Sequence, residues 1–163
     1  MRTLYSYITE SESQLQKLMT KELKRVGNRM IVAPADPDDD LQGWNEDIAA
    51  EYSIGELILN YSGMLAEKLG TKMPVIDLTE INILKSARGK GCARRVLKEI
   101  TEWCDKHNFV LTGDPDDMFG SKLEGLYKLY AEFGIMPNPK YDAKKHPYSK
   151  IVRWPNGMEP DNK

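Results

Sequence analysis

Cysteine and histidine are scarce, with two of each in 163 residues. Cys92 and Cys104 form no CxxC pair, the chain has no HExxH, and His107 and His146 lie far apart in sequence. That spacing argues against a disulfide framework and a zinc site, and suits reduced thiols in a cytosolic protein. Long apolar runs are missing too, none approaching the length of a membrane span. The N-terminal MRTLYSYITESES has neither the apolar core nor the cleavage site of a signal peptide, which points to the cytoplasm. Nor is one sign of charge in excess. Against 25 acidic side chains stand 23 basic ones, a net −2, so nucleic acid would need a local basic patch.

What remains is the composition of a folded domain, 40% hydrophobic and 29% charged, at a length that suits one well-buried core. No repeat or compositional break divides residues 1–163, so a single domain is expected. RTLYSYI (Arg2–Ile8) alternates loosely enough for a first strand. SESQLQKLMTKELKRV then places Leu15, Leu18, Met19 and Leu23 at helical spacing, with Ser11 or Ser13 as a cap. RMIVA (Arg29–Ala33) is a short apolar run, and PADPDDDLQGW is a loop. From Asn45 to Leu69 the positions Ile54, Leu57, Ile58, Tyr61, Leu65 and Leu69 recur at three- and four-residue steps. This predicts an amphipathic helix, bent near Ser53–Gly55 and stopped by Gly70.

Val75–Leu84 is the clearest strand. Gly91–His107 reads as a helix with Ala93, Val96, Leu97, Ile100 and Trp103 or Cys104 on one face, and His107 as a helix-end cation. FVLTGD (Phe109–Asp114) is a strand, Ser121–Phe133 a helix followed by Gly134, and YSKIVRW (Tyr148–Trp154) a last strand. Strands alternating with helices predict an α/β (α+β) fold with a mixed sheet and some parallel pairing.

The junction ILKSARGKGCARRV (Ile83–Val96) concentrates two glycines and five basic residues where that strand gives way to a helix. A helix start carries unpaired N–H donors and partial positive charge, and so can seat an anion. Arg88–Gly89–Lys90–Gly91–Cys92–Ala93 fits [Gln/Arg]-x-x-Gly-x-[Gly/Ala], in which small residues let a diphosphate approach the backbone. Lys90, Arg94 and Arg95 could add charge. A solvated basic helix start with a tight turn would read the same way on this hexapeptide alone. There is no Walker loop, and the third glycine of a dinucleotide fingerprint is absent.

Downstream, LYAEFGI (Leu129–Ile135) places a tyrosine near a helix end, four residues before Gly134. The strand, the glycine motif, the helix, the next strand and this ending together resemble the GNAT acyltransferase superfamily. Residues 78–135 carry the resemblance, which is strongest to the small GNAT proteins of phages and mobile elements. It implies a mixed sheet whose two central strands splay apart, with acetyl-CoA as co-substrate in the wedge and no metal. Backbone groups of Ile83, Leu84 and Lys85 would pair with pantetheine. N–H groups of Gly89, Lys90, Gly91, Cys92, Ala93 and Arg94, behind Arg88, would hold the pyrophosphate. Tyr130 would protonate the departing thiolate, a backbone N–H near Leu84 would take the oxyanion, and Asp77 or Glu80 would serve as base. Three positions apart, those carboxylates face opposite sides of a regular strand unless a bulge intervenes.

The resemblance thus implies a CoA-dependent N-acetyltransferase acting on an amine by direct attack, with acceptor and oligomeric state open. The pattern departs from the family in its first half, residues 1–74, which reads as largely helical where antiparallel strands are usual. Ile135 replaces a phenylalanine, and Cys92 a larger aliphatic residue. A GNAT-fold binding module, such as a phage host-factor inhibitor or virion component, is the alternative, in a host cytoplasm if phage-encoded. A nucleic-acid role through KYDAKKHPYSKIVRW ranks last. Asp36–Asp40 mimics the first calcium-hand positions, but Leu41 and Asp47 stand where glycine and glutamate belong, so a solvated acidic loop is expected.

Overall fold

The computed structural model describes residues 12–35, 38, 43–115, 123–142, 144 and 150–157. The expected strand Arg2–Ile8, most of the acidic loop, residues 116–122 with the expected helix start at Ser121, and His146 lie outside the described residues. Helix α1 (Gln14–Glu22) starts at Ser13, whose side chain accepts from Gln16 N–H at 3.0 Å. Of the two serines available, the structure assigns the cap to Ser13. Ser13→Ala should cost about 1 kcal/mol in urea unfolding, the usual worth of such a cap. A cost below a few tenths would mean that tertiary packing alone holds the first turn.

Strand β1 (Arg29–Val32) follows, and then the segment read as one bent helix divides in three. It forms α2 (Glu46–Tyr52), strand β2 (Ile54–Tyr61) and α3 (Gly63–Leu69). The expected helix is therefore corrected to helix, strand, helix. Ser53 takes the left-handed conformation (φ 55°) and stops α2, while Gly70 (φ 71°) ends α3 as its sequence position predicts. Between them, Ile54, Leu57 and Leu59 point into the core, and the strand is held on both sides by β1 and β3 (Val75–Ile83).

A three-residue helical turn, Lys85–Ala87, leads into the longest helix, α4 (Cys92–His107). Strand β4 (Val110–Gly113), helix α5 (Leu123–Ala131) and strands β5 (Met136–Pro137) and β6 (Ile151–Arg153) follow. The strands form one mixed sheet in the order β1-β2-β3-β4-β6-β5, with β3 and β4 parallel and the other pairs antiparallel. The β3–α4–β4 crossover supplies the parallel pair.

One face of the sheet meets α1, α4 and α5 in the main core, where Leu15, Met19, Leu57, Leu59, Ile76, Leu97, Ile100 and Ile135 are fully buried. Trp103 N–H donates to Thr20 Oγ1 at 3.0 Å and ties α4 to α1. On the other face a smaller cluster joins Leu65 of α3 to Val75, Val110 and Val152. His107 lies in the last turn of α4, as its sequence position predicts. Burial, aided by Lys106, pulls its pKa below the usual value against the opposing pull of Glu12. Its ring lies 4.7 Å from that of Trp103.

Candidate functional site

The sheet opens at one point. Val75–Leu78 pair in parallel with Val110–Gly113, but β3 runs on to Ile83 while β4 ends at Gly113. Beyond Leu78, the β3 edge turned away from β2 has no strand partner among the described residues. A cavity of about 70 Å³ occupies the opening, bounded by Leu78–Ile81, Gly113–Pro115, Leu126 and Tyr130. A second, of about 120 Å³, continues along Ile81–Ile83 to Ala93 and Leu97 of α4. Both are lined by Ile81, Leu126 and Tyr130, so the two cavities adjoin across these shared side chains, and together they make a cleft region reaching from the strand divergence to the start of α4. Tyr130, contributed by α5, is buried at its midpoint.

The α4 end of the cleft is built by the glycine motif. Gly89 and Gly91 both take positive φ (81° and 80°), a conformation that glycine adopts without strain. A Cβ built on either would meet nothing within 4 Å, so the space above this turn is open. The helix's first backbone bond runs from Arg95 N–H to Gly91 C=O (3.1 Å), which leaves Cys92, Ala93 and Arg94 N–H without intrahelical acceptors. Arg88 folds back, donating from Nε to Ile83 C=O (3.2 Å) and from an Nη to Asn82 Oδ1 (3.0 Å), and so pins the turn to the strand.

The other arginines are engaged elsewhere. Arg94 makes a bidentate pair with Glu132 (2.9 and 3.2 Å), and Arg95 binds Glu51 while lying 4.1 Å over the Tyr52 ring. Cys92 is a free, half-buried thiol and Cys104 a free, buried one. Desolvation pushes the Cys104 thiol up to about 12. Leu84 N–H donates to Ser53 C=O at 2.9 Å, so an oxyanion donor in this stretch would be a neighbouring N–H.

The two carboxylates are brought to one face. Ile58 pairs with Glu80 and Leu59 with Leu78, so Thr79 is the extra residue of a bulge. Asp77 and Glu80 then oppose Asn60 and Ile58, which share a face of β2. Glu80 lines the cleft directly. Asp77 lies beside it in a polar row that crosses the sheet. Arg29 Nε donates to Asn60 Oδ1 (2.9 Å), Asn60 Nδ2 to Thr79 Oγ1, Thr79 Oγ1 to Asp77 Oδ2 (2.9 Å), and Thr112 Oγ1 to Asp77 Oδ1 (3.0 Å). Burial raises the Asp77 pKa, the two threonine hydrogen bonds oppose that, and the Asp114 charge adds to it. Asp114, at the cleft wall, pairs with Lys150 at 3.1 Å.

Compared with protein-family models and with curated proteins, the sequence matches none. Among the described residues no group of three or more histidine, cysteine, aspartate or glutamate side chains could hold a metal ion. No helix among them is long and apolar enough to cross a membrane.

Of the residues singled out in the sequence, the structure gathers Tyr130, Glu80, Ile83 and Ala93 on one cleft, with Gly89 and Gly91 at the start of α4 and Asp77 behind it. Lys85 belongs to the turn between β3 and α4. Thr79, Thr112, Asn60 and Asp114 escaped the sequence reading. The signal for them was polar residues inside otherwise apolar strands, as in VIDLTEI and VLTG.

Proposed function

We propose that the protein is a CoA-dependent N-acyltransferase with the acceptor amine entering at the strand divergence. The observation that carries this reading is the cleft itself. It joins an exposed strand edge, a glycine-flanked helix start open to solvent, and a buried tyrosine between them. An extended thioester fits that order of features. The pyrophosphate would meet the α4 N–H groups, pantetheine would follow Ile81–Ile83, and the acyl carbon would come to Tyr130 and Glu80. Strands β1 and β2 also support it, since they supply the antiparallel strands before the central one that the GNAT resemblance calls for.

In this chemistry a neutral amine attacks the thioester carbon and the tetrahedral intermediate collapses, breaking the C–S bond. The thiolate leaves beside Tyr130, which can donate a hydrogen bond or a proton. A thiol pKa near 8.5 makes thiolate a tolerable leaving group, so Tyr130→Phe should slow thiol release about 10-fold with little change in acetyl-CoA affinity. Loss of affinity without loss of turnover would show that Tyr130 only packs.

A second reading, a binding module of this fold without turnover, draws on one observation. Arg94 and Arg95 are spent on Glu132 and Glu51 rather than held toward the seat. Calorimetric titration with acetyl-CoA, paired with an assay of thiol release, separates the two readings: micromolar binding with turnover supports the transferase, whereas binding without turnover, or no binding in folded protein, supports the module.

A further inference from the structure

The polar row across β1–β4 is more than a sheet ornament. Its hydrogen bonds run in one direction along Arg29, Asn60 and Thr79 to Asp77, and Thr112 donates to the same carboxylate from the opposite side. Four strands therefore contribute side chains to orient one carboxylate. Thr79 is the one member of the row that lines the cleft, and the bulge at Thr79 is what places it there. A threonine hydroxyl has one proton and two lone pairs. Here the proton goes to Asp77 and one lone pair accepts from Asn60, leaving the second to receive a hydrogen bond from a molecule in the cleft.

We infer that Thr79 is the group that touches the acceptor amine and passes its proton to Asp77. The inference rests on the transferase reading of the cleft. In the step, an ammonium N–H gives its proton to Thr79 Oγ1 while the proton already on that oxygen moves to Asp77 Oδ2. Asp77 becomes a neutral carboxylic acid and the amine becomes a nucleophile. After attack, the nitrogen's second proton leaves with the CoA thiol, and Asp77 returns its proton to solvent.

Asp77 is thus a positioning and proton-holding residue acting through Thr79. Asn60 and Arg29 fix the direction of the Thr79 hydroxyl, and Thr112 fixes the carboxylate. The charged groups around the relay are Asp114 with its partner Lys150, Glu80 on the same strand face, and Arg29 at the far end. Burial and Asp114 both make Asp77 a stronger base than an exposed aspartate, which suits the task.

The test follows thiol release from acetyl-CoA, with spermidine, Nα-acetyl-lysine amide and water alone as acceptors, and acetyl-CoA affinity by calorimetry. Thr79→Val and Asp77→Asn should each lower kcat/KM about 100-fold, the usual worth of a general base, and leave affinity within about twofold. Together they should cost no more than either alone, because they interrupt one path. The acid limb of the pH profile should vanish in both, and Thr79→Ser should restore rate and limb.

Thr79→Val at wild-type rate overturns the relay. So does a double variant whose losses multiply, or Glu80→Gln removing the acid limb while Thr79→Val keeps it. A wild type that binds acetyl-CoA yet releases no thiol above the uncatalysed rate overturns the relay and leaves the binding module. A wild type that does not bind acetyl-CoA removes the transferase reading itself, so the two failures are distinct.

Discussion

Gly91→Glu should abolish measurable acetyl-CoA binding while leaving the protein folded. Two effects act at this position and differ in size. Gly91 is the residue before α4 and has φ 80°, so any side chain costs about 1 kcal/mol of backbone strain. No atom lies within 4 Å of a Cβ placed there, so a side chain at this position starts into open space. Its carboxylate would, however, stand at the proposed anion seat. At about 5 Å from a phosphate charge and an effective dielectric near 20, the repulsion is about 3 kcal/mol per charge, a loss of at least 100-fold in affinity. Gly91→Ala carries the same backbone strain without the charge and should bind acetyl-CoA within about threefold of wild type. If calorimetry found the two variants equally impaired, strain would be responsible, and the phosphate seat would have to lie elsewhere.

That prediction rests on a part of the fold that was legible in the sequence, because the features that specify it are local. A strand rich in β-branched residues, two glycines at positive φ and a helix with one apolar face can each be recognised without knowing the rest of the chain. Asn45–Leu69 was not legible in this way. Ile54, Leu57, Ile58 and Tyr61 satisfy helical spacing, yet the strand buries Ile54, Leu57 and Leu59 and turns Asn60 toward the opposite face. Both periods fit eight residues, and pairing with β1 and β3, distant in sequence, decides between them. The same limit applies at the cleft. Nothing in ARGKGCARR tells that Arg94 closes on Glu132 or Arg95 on Glu51, because those partners are 38 and 44 residues away. The bulge at Thr79 belongs to the same class. It is a property of the register between β2 and β3, and it alone turns Asp77 and Glu80 from opposite faces to one.

Stability at the back of the cleft turns on Asp105, whose removal should cost about 3 kcal/mol. An aspartate in the last turn of α4 opposes the helix dipole, so something must offset it. It accepts from both Arg153 Nη atoms (2.9 and 2.8 Å) and from Asn156 N–H (2.7 Å), while Arg153 Nε donates to Phe133 C=O (2.7 Å). This one ion pair therefore fastens β6 and the chain beyond α5, the helix that carries Tyr130, to α4. Asp105→Ala would leave a largely buried guanidinium with one carbonyl for company. Full burial would raise the cost to 3–5 kcal/mol, and the partial exposure of Asp105 argues for the lower end. Burial by itself would raise the Asp105 carboxyl, but the Arg153 and Asn156 hydrogen bonds and the Arg153 charge hold it below the usual value. The stabilisation is then fully present above the unfolded aspartate pKa near 3.9 and is lost as pH falls through the lower folded value. Urea unfolding of wild type and Asp105→Ala should differ by about 3 kcal/mol at pH 7 and converge as pH falls through the lowered Asp105 value, where the wild type loses the pair as well. A gap that does not narrow in acid would mean that Asp105 contributes shape rather than charge, and that packing around Phe133 and Ile135 holds Tyr130 in the cleft.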